Sequence, residues 1–173
     1  PNSMTQVGSL EELTTSEKER CCVQKDAESG KESIWVCRDA QYETEMAYLK
    51  AKVDAGAKFI VTQMVFDAQV YRHFVLACEA IDIDTKACPV VPGIMCINGF
   101  GGFQRMTAFC KSRVPQEMRS RLEAVQADDK EVKAEGVKLV TELCRGLLAY
   151  NAPGLHFYTL NLANSTIAIV DEV

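Results

Sequence analysis

The stretch from residue 53 to residue 74 constrains the fold more than any other, because it is typical of a helix end, a strand and a second helix. Gly56 stands where a helix C-cap requires a positive φ. Residues 59–66 then form an apolar run that is interrupted only by Thr62 and Gln63. Such a run predicts a strand of a parallel sheet that is covered on both faces.

Gln63 is the first candidate for a ligand-binding residue. Side chains alternate along a strand, so Phe59, Val61 and Gln63 are expected to share one face. Gln63 lies towards the carboxyl end of the strand, which is where parallel sheets bind ligands. Asp67 follows and predicts the N-cap of the next helix.

Three further short apolar runs are interpreted as strands: residues 33–37, 88–94 and 154–160. In the last of these, His156, Tyr158 and Leu160 are expected to share one face. Strands and helices alternate along the chain, which predicts an α/β fold with a parallel sheet. Four strands indicate either an open sheet or part of a barrel, and periodicity alone does not choose between them.

A longer helix is expected to begin after Asp128, and the side chain of Asn161 suits the N-cap of the final helix. The three glycines Gly99, Gly101 and Gly102 indicate either a phosphate-binding loop or a plain flexible connection. Neither a dinucleotide-binding fingerprint nor a P-loop pattern accompanies them, which favours the plain connection.

Composition narrows the class of protein. The chain has 173 residues, of which 47% are hydrophobic and 25% charged, as in a globular domain. Its net charge of −5 argues against nucleic acid or an anionic membrane as the main partner. No apolar run approaches a membrane span and no secretory signal is visible, so a cytoplasmic location is expected. The eight cysteines contain no C-x-x-C pair, so no metal site is expected and they are interpreted as small reduced hydrophobes.

Four motifs occur in order: KVDAGAKFIVTQMVFD, PVVPGI, VPQEM and PGLHFYTLN. Together they resemble the C-terminal half of the catalytic domain of the methylenetetrahydrofolate reductase family. The resemblance covers residues 34–173, whereas the polar segment 1–33 has no family match. It implies a (β/α)8 TIM barrel of which this chain carries roughly the last four strands.

The resemblance also implies a chemistry. NAD(P)H reduces a bound FAD, and the flavin passes hydride to 5,10-methylenetetrahydrofolate, giving 5-methyltetrahydrofolate for methionine supply. The same likeness assigns Gln63 and Tyr158 to the folate substrate, and Lys52 and Leu160 to FAD. Glu45 is the nearest counterpart of an aspartate that contacts FAD. If the family resemblance is set aside, the simplest interpretation of Gln63 is an amide at a strand end that bonds to backbone, and that of Lys52 is a charge that stabilises a helix C-terminus.

The sequence departs from the family pattern at several positions: Leu162 stands in place of an arginine, Cys96 in place of a proline and Met106 in place of a phenylalanine. The family's GYP-x-x-HPE loop is missing after residues 33–37, and no carboxylate matches the family's proton donor. Catalytic residues therefore stay unassigned.

Three functions stay open. The first is a reductase, expected to be a homo-oligomer. The second is a truncated or divergent non-catalytic relative that acts through association with another chain. The third is an unrelated α/β binding domain. The preference for NADH or NADPH also stays open.

Overall fold

The structure is a computed structural model that describes residues 3–26 and 29–173. The strands in these ranges are β1 (Thr5–Val7), β2 (Cys22–Lys25), β3 (Glu32–Val36), β4 (Ile60–Met64), β5 (Val90–Met95) and β6 (His156–Tyr158). The α-helices are α1 (Thr15–Arg20), α2 (Asp39–Asp54), α3 (Ala68–Ala80), α4 (Phe100–Cys110), α5 (Gln116–Ala124), α6 (Asp129–Ala149) and α7 (Ala163–Glu172). A short 3-10 helix, Leu10–Glu12, precedes α1.

The strands form two separate sheets. One is antiparallel with the order β1-β3-β2, and the other is parallel with the order β4-β5-β6. The prediction that residues 33–37 open a set of four parallel strands was therefore wrong, because β3 pairs with β1 and β2 in the antiparallel sheet. The β2–β3 pairing runs from Cys22↔Trp35 to Lys25↔Glu32, so its partners are close in sequence and closing the loop between them costs little entropy.

The α/β class is confirmed by the parallel sheet and its covering helices. In the described ranges the sheet is open: β4 and β6 lie at its two edges, and no closed barrel is present. The connection from β5 to β6 contains α4, α5 and α6, which is longer than the single-helix crossover between β4 and β5.

One face of the parallel sheet carries the main core. Val90 and Ile94 of β5 are buried there beside the apolar stripe of α6, and Phe66 meets Phe103 edge to face at 5.3 Å between ring centroids. On the other face, Phe59 is 62% exposed. The expectation that β4 is covered on both faces was wrong, because its Val61 and Gln63 are exposed.

Capping residues fix the ends of several helices. As predicted, Gly56 has a φ of 111° just after α2, and the Asp67 side chain accepts a hydrogen bond at the start of α3. The helix predicted after Asp128 is α6, and the Asp128 side chain caps it. Asn161 does not cap α7: its φ is 64°, and Leu162 holds the N-cap position without a side-chain bond.

The three-glycine segment is not a plain flexible connection, because it forms the start of a helix. Gly99 is the N-cap of α4, and Gly101 and Gly102 lie inside its first turn. None of the helices in residues 3–26 and 29–173 combines the length and the apolar character needed to cross a membrane.

Candidate functional site

A β-bulge lies at the carboxyl end of β4. Val61 pairs with Val91 and Met64 pairs with Gly93, so β4 advances three residues while β5 advances two. The extra residue falls at Thr62 and Gln63. Bulges occur next to binding sites because they redirect a side chain without ending the sheet.

The Thr62 hydroxyl replaces a backbone partner at the bulge. It accepts a hydrogen bond from the Gly93 N–H at 3.0 Å and donates one to the Gln63 carbonyl at 2.7 Å. In a regular parallel ladder the Gly93 N–H would donate to a backbone carbonyl of the neighbouring strand. The sequence reading took Thr62 only as a polar interruption and missed this role.

Tyr158 lies across β5 and reaches β4. Its hydroxyl donates to the Thr62 carbonyl at 2.9 Å, and its ring meets His156 edge to face at 4.7 Å between centroids. A Cβ atom on Gly93 would lie 2.5 Å from Tyr158 Cε2 and 2.6 Å from the Thr62 carbonyl oxygen. Only glycine therefore leaves room for the tyrosine at this point.

Gln63 is exposed, and one end of its amide is already bonded. Its Oε1 accepts from the Met64 N–H at 3.1 Å. A backbone N–H can only donate, so the atom facing it must be oxygen, and Nε2 is left with its two N–H groups for an external acceptor. The structure thus brings Gln63 and Tyr158 together, because both are anchored through residues of the bulge.

Leu160 does not belong to the strand face on which it was expected. β6 ends at Tyr158, and Leu160 has a φ of 49° in a turn closed by a bond from the Leu162 N–H to the Thr159 carbonyl. The alternation of side chains along the strand therefore ends before Leu160, so Leu160 does not share a face with His156 and Tyr158 as predicted. Its side chain is 68% exposed.

Lys52 and Glu45 lie on α2, seven residues apart, so they occupy one side of that helix. The Lys52 ammonium lies 4.1 Å from the centroid of the Tyr48 ring and forms no ion pair with any described residue. Glu45 accepts a hydrogen bond from Ser3 at 2.7 Å. Lys52 precedes the amino end of β4, whereas Gln63 lies at its carboxyl end. The predicted residues thus form two groups rather than one, and Tyr48 is a neighbour that the sequence reading missed.

The antiparallel sheet is tied to the end of β4 through the loop after α4. The Gln24 side chain donates to the Ser112 carbonyl at 2.9 Å, and the Ser112 hydroxyl donates to the Met64 carbonyl at 3.2 Å. Arg113 pairs with Asp67 at 3.2 Å. These bonds span large sequence separations, so no local pattern indicated them.

None of the predicted site residues lines the surface cleft of about 490 Å³ between α1 and α3, which is lined by Thr15, Lys18, Glu19, Gln69, Val70, His73 and Arg113. Over residues 3–26 and 29–173, no three histidine, cysteine or acidic side chains converge on a possible metal position. All eight cysteines are free and seven are buried. Burial raises the pKa of Cys78 to about 11 and that of Cys144 to about 12, which keeps both thiols protonated and unreactive near neutral pH.

The parallel sheet and its covering helices define an α/β protein, and the polar and aromatic side chains at the carboxyl end of the sheet form its candidate ligand site. The family model described as methylenetetrahydrofolate reductase matches residues 33–173, and the chain belongs to that family. The resemblance found in the four motifs is thereby confirmed.

Relatives from three kingdoms of life agree with this family. The chain is 46% identical over 129 residues to the methylenetetrahydrofolate reductase (NADH) 1 of Arabidopsis thaliana, a match that covers 75% of this chain and 21% of the relative. It is 38% identical over 133 residues to a probable methylenetetrahydrofolate reductase (NADPH) of Caenorhabditis elegans, covering 76% and 20%. With the 5,10-methylenetetrahydrofolate reductase of Pectobacterium carotovorum, identity is 32% over 127 residues, covering 73% and 42%. The chain thus spans about a fifth of the length of the first two relatives.

Proposed function

We propose that this chain is part of a flavin-dependent reductase that converts 5,10-methylenetetrahydrofolate to 5-methyltetrahydrofolate with NAD(P)H, and so contributes to methionine supply. The observation that carries the proposal is that Gln63 and Tyr158, which the four motifs assign to the folate site, are held together at the carboxyl end of the parallel sheet in a member of this family. The names of the relatives, which include NADH and NADPH, support a nicotinamide co-substrate.

The folate would bind where Gln63 offers amide donors and Tyr158 offers an aromatic ring. A pterin carries ring nitrogens and a carbonyl oxygen, which accept hydrogen bonds, and its flat rings pack well on aromatic and apolar side chains. Phe59 and Val61, which precede Gln63 in the chain, provide exposed apolar surface. This combination suits a planar heterocycle better than a simple anion.

The residues of α2 suit part of an FAD molecule. The Lys52 ammonium is exposed and has no carboxylate partner among the described residues, so it is free to meet a phosphate. The Glu45 carboxylate suits a ribose hydroxyl rather than a phosphate, and the exposed Leu160 suits an apolar ring. When bound, FAD supplies hydride transfer between the nicotinamide and the folate. Lys52, Glu45 and Leu160 would only bind and orient it.

The proposed reductase would have a barrel fold. The three parallel strands would be part of a (β/α)8 TIM barrel whose other strands come from outside this chain, and they would be among the last four of the eight. The exposed inner side of β4 and the two open edges of the sheet support this arrangement. A homo-oligomer in the cytoplasm without nucleic acid as a partner, as expected from the sequence, remains part of the proposal.

The open edges also favour a second candidate, a truncated or divergent non-catalytic relative that associates with another chain. A chimeric enzyme, called the graft below, distinguishes the reductase from the non-catalytic relative. Residues 33–173 would replace the matching region of the Arabidopsis relative, and folate reduction by NADH would be measured with the unmodified relative as control. Retained turnover supports the reductase. A graft that folds and binds flavin but reduces no folate would favour the non-catalytic relative.

A further inference from the structure

We propose that Thr62 is a positioning residue for Gln63: its hydroxyl creates the bulge that turns the Gln63 amide nitrogen towards a ligand acceptor. This inference rests on the proposed function for the identity of the ligand, a reduced folate. The position of the Gln63 amide itself is independent of that function. Thr62 would contact neither folate nor cofactor.

Three bonds converge on Thr62. Its hydroxyl accepts from the Gly93 N–H and donates to the Gln63 carbonyl, while its own carbonyl accepts from the Tyr158 hydroxyl. The carbonyls of Thr62 and Gln63 thereby both accept hydrogen bonds from side chains. Since the register shift falls at these two residues, the bulge and the side-chain bonds occupy the same place.

The bulge has a consequence for the chemistry that Gln63 offers. It leaves the Met64 N–H facing back towards the Gln63 side chain, where it meets Oε1 at 3.1 Å. Loss of the bulge would restore regular pairing, in which Gln63 rather than Met64 lies opposite Gly93. The Met64 N–H would then be displaced from the Gln63 Oε1, so the amide would lose its anchor and would no longer present its donors in a fixed direction.

Two substitutions isolate the hydroxyl. Thr62→Val has nearly the same shape but neither accepts nor donates, whereas Thr62→Ser keeps both bonds. Thr44→Val is the matched control, because the Thr44 hydroxyl also bonds a backbone carbonyl, that of Ala40, but on the outside of α2. Nitrogen-15-labelled protein reports the Gln63 side-chain amide directly, and its two proton signals are assigned by their absence in Gln63→Glu.

The wild type is expected to show an ordered Gln63 amide, with signals displaced from those of a free glutamine side chain. Thr62→Ser and Thr44→Val should keep these signals, and Thr62→Val should move them to the free, mobile position. A mobile Gln63 amide in the wild type, or unchanged signals in Thr62→Val, would overturn the proposal. If Thr62→Val does not fold, the signals of Thr62→Ser test the proposal instead. A folded serine variant that lacks the ordered Gln63 signals would overturn the proposal, because serine keeps the hydroxyl.

Binding of 5-methyltetrahydrofolate, measured by calorimetry on the graft described above, tests the ligand part. Thr62→Val should raise the dissociation constant by about tenfold or more, the size of effect expected when one ligand hydrogen bond is misplaced, and Thr62→Ser should leave it within about threefold. Equal affinity in the valine variant would overturn the positioning role. A wild-type graft that binds no folate would refute the proposed function, while the amide signals would still decide whether Thr62 positions Gln63.

Discussion

Gln63 offers donors rather than acceptors, because its carbonyl oxygen is bonded to the Met64 N–H. In the graft, Gln63→Ala should therefore lower folate turnover more than flavin reduction by NAD(P)H, since only the folate step uses that amide. The loss of one hydrogen bond to a ligand is worth about 1–3 kcal/mol, or roughly a 5- to 150-fold change. Stopped-flow measurement of the two half-reactions checks it. Gln126→Ala, on an exposed turn, is the control, and equal losses in both half-reactions would contradict the assignment.

Lys52 is the residue that we propose contacts the phosphates of FAD. Lys52→Glu should release flavin. The wild type should also release more flavin as the salt concentration is raised, because salt screens a contact between a cation and a phosphate at an exposed site. Flavin fluorescence in a salt titration of the graft measures this. Lys86→Glu, a charge reversal at an exposed lysine in the loop before β5, should retain flavin. A Lys52→Glu variant with full flavin at high salt would refute the contact.

Gly93 is required by the close approach of Tyr158. Gly93→Ala would place a Cβ 2.5 Å from the tyrosine ring and 2.6 Å from a backbone carbonyl, and only the ring can move. We expect a loss of about 1–3 kcal/mol in the free energy of unfolding, as for an overpacked core position. Urea unfolding measures it. Gly102→Ala is the matched control: it lies in α4 with no atom within 4 Å, and should be neutral or stabilising.

Alternation along a strand predicted part of this site. It placed Phe59, Val61 and Gln63 on one face, and all three are exposed. It failed at Leu160, because a left-handed turn ends the strand two residues earlier. It gave no sign of the bond from Tyr158 to Thr62, because the partners are 96 residues apart and only the folded sheet brings them together.

At the scale of elements, Asp67 joins α3 to the loop after α4. One carboxylate oxygen accepts from the Gln69 N–H at 2.9 Å, and the other pairs with Arg113 at 3.2 Å. Asp67→Ala should cost about 1–2 kcal/mol of stability through the lost cap and ion pair, and Asp67→Asn should cost less because it keeps a capping oxygen. Asp128→Ala removes a similar cap, and among the described residues Asp128 forms no ion pair. Thermal unfolding of the three variants checks this order, and an Asn variant as unstable as the Ala variant would contradict it.

The order of helices along the chain was largely predictable from sequence, whereas the pairing of strands was not. Residues 33–37 had the apolar character of a strand, and they do form β3. Their partners, β1 and β2, are three and four residues long in a polar segment, too short for a periodic pattern to stand out. A strand without an obvious local partner was therefore placed in the wrong sheet.

At the scale of the whole molecule, the parallel sheet leaves apolar surface uncovered. Phe59 is 62% exposed and Val61 37%, and among the described residues β4 and β6 have no strand partner on their outer edges. Exposed apolar strands with free edges favour association with another chain. Leaving these apolar side chains in contact with water costs free energy, so the isolated 173-residue chain is expected to associate through this face. It is also expected to bind FAD far more weakly than a complete barrel.

Sedimentation velocity tests the association. The isolated chain should sediment as a dimer or larger, and the double variant Phe59→Lys and Val61→Lys should shift it towards the 19.2 kDa monomer, because two charges on the open face oppose its burial. Phe109→Lys is the matched control: Phe109 is 83% exposed, but it lies on α4 outside the sheet, so its substitution should leave the oligomer intact. A wild-type monomer that binds FAD tightly would contradict the partial-barrel proposal. An oligomer that dissociates only with Phe109→Lys would assign the interface to α4 rather than to the sheet.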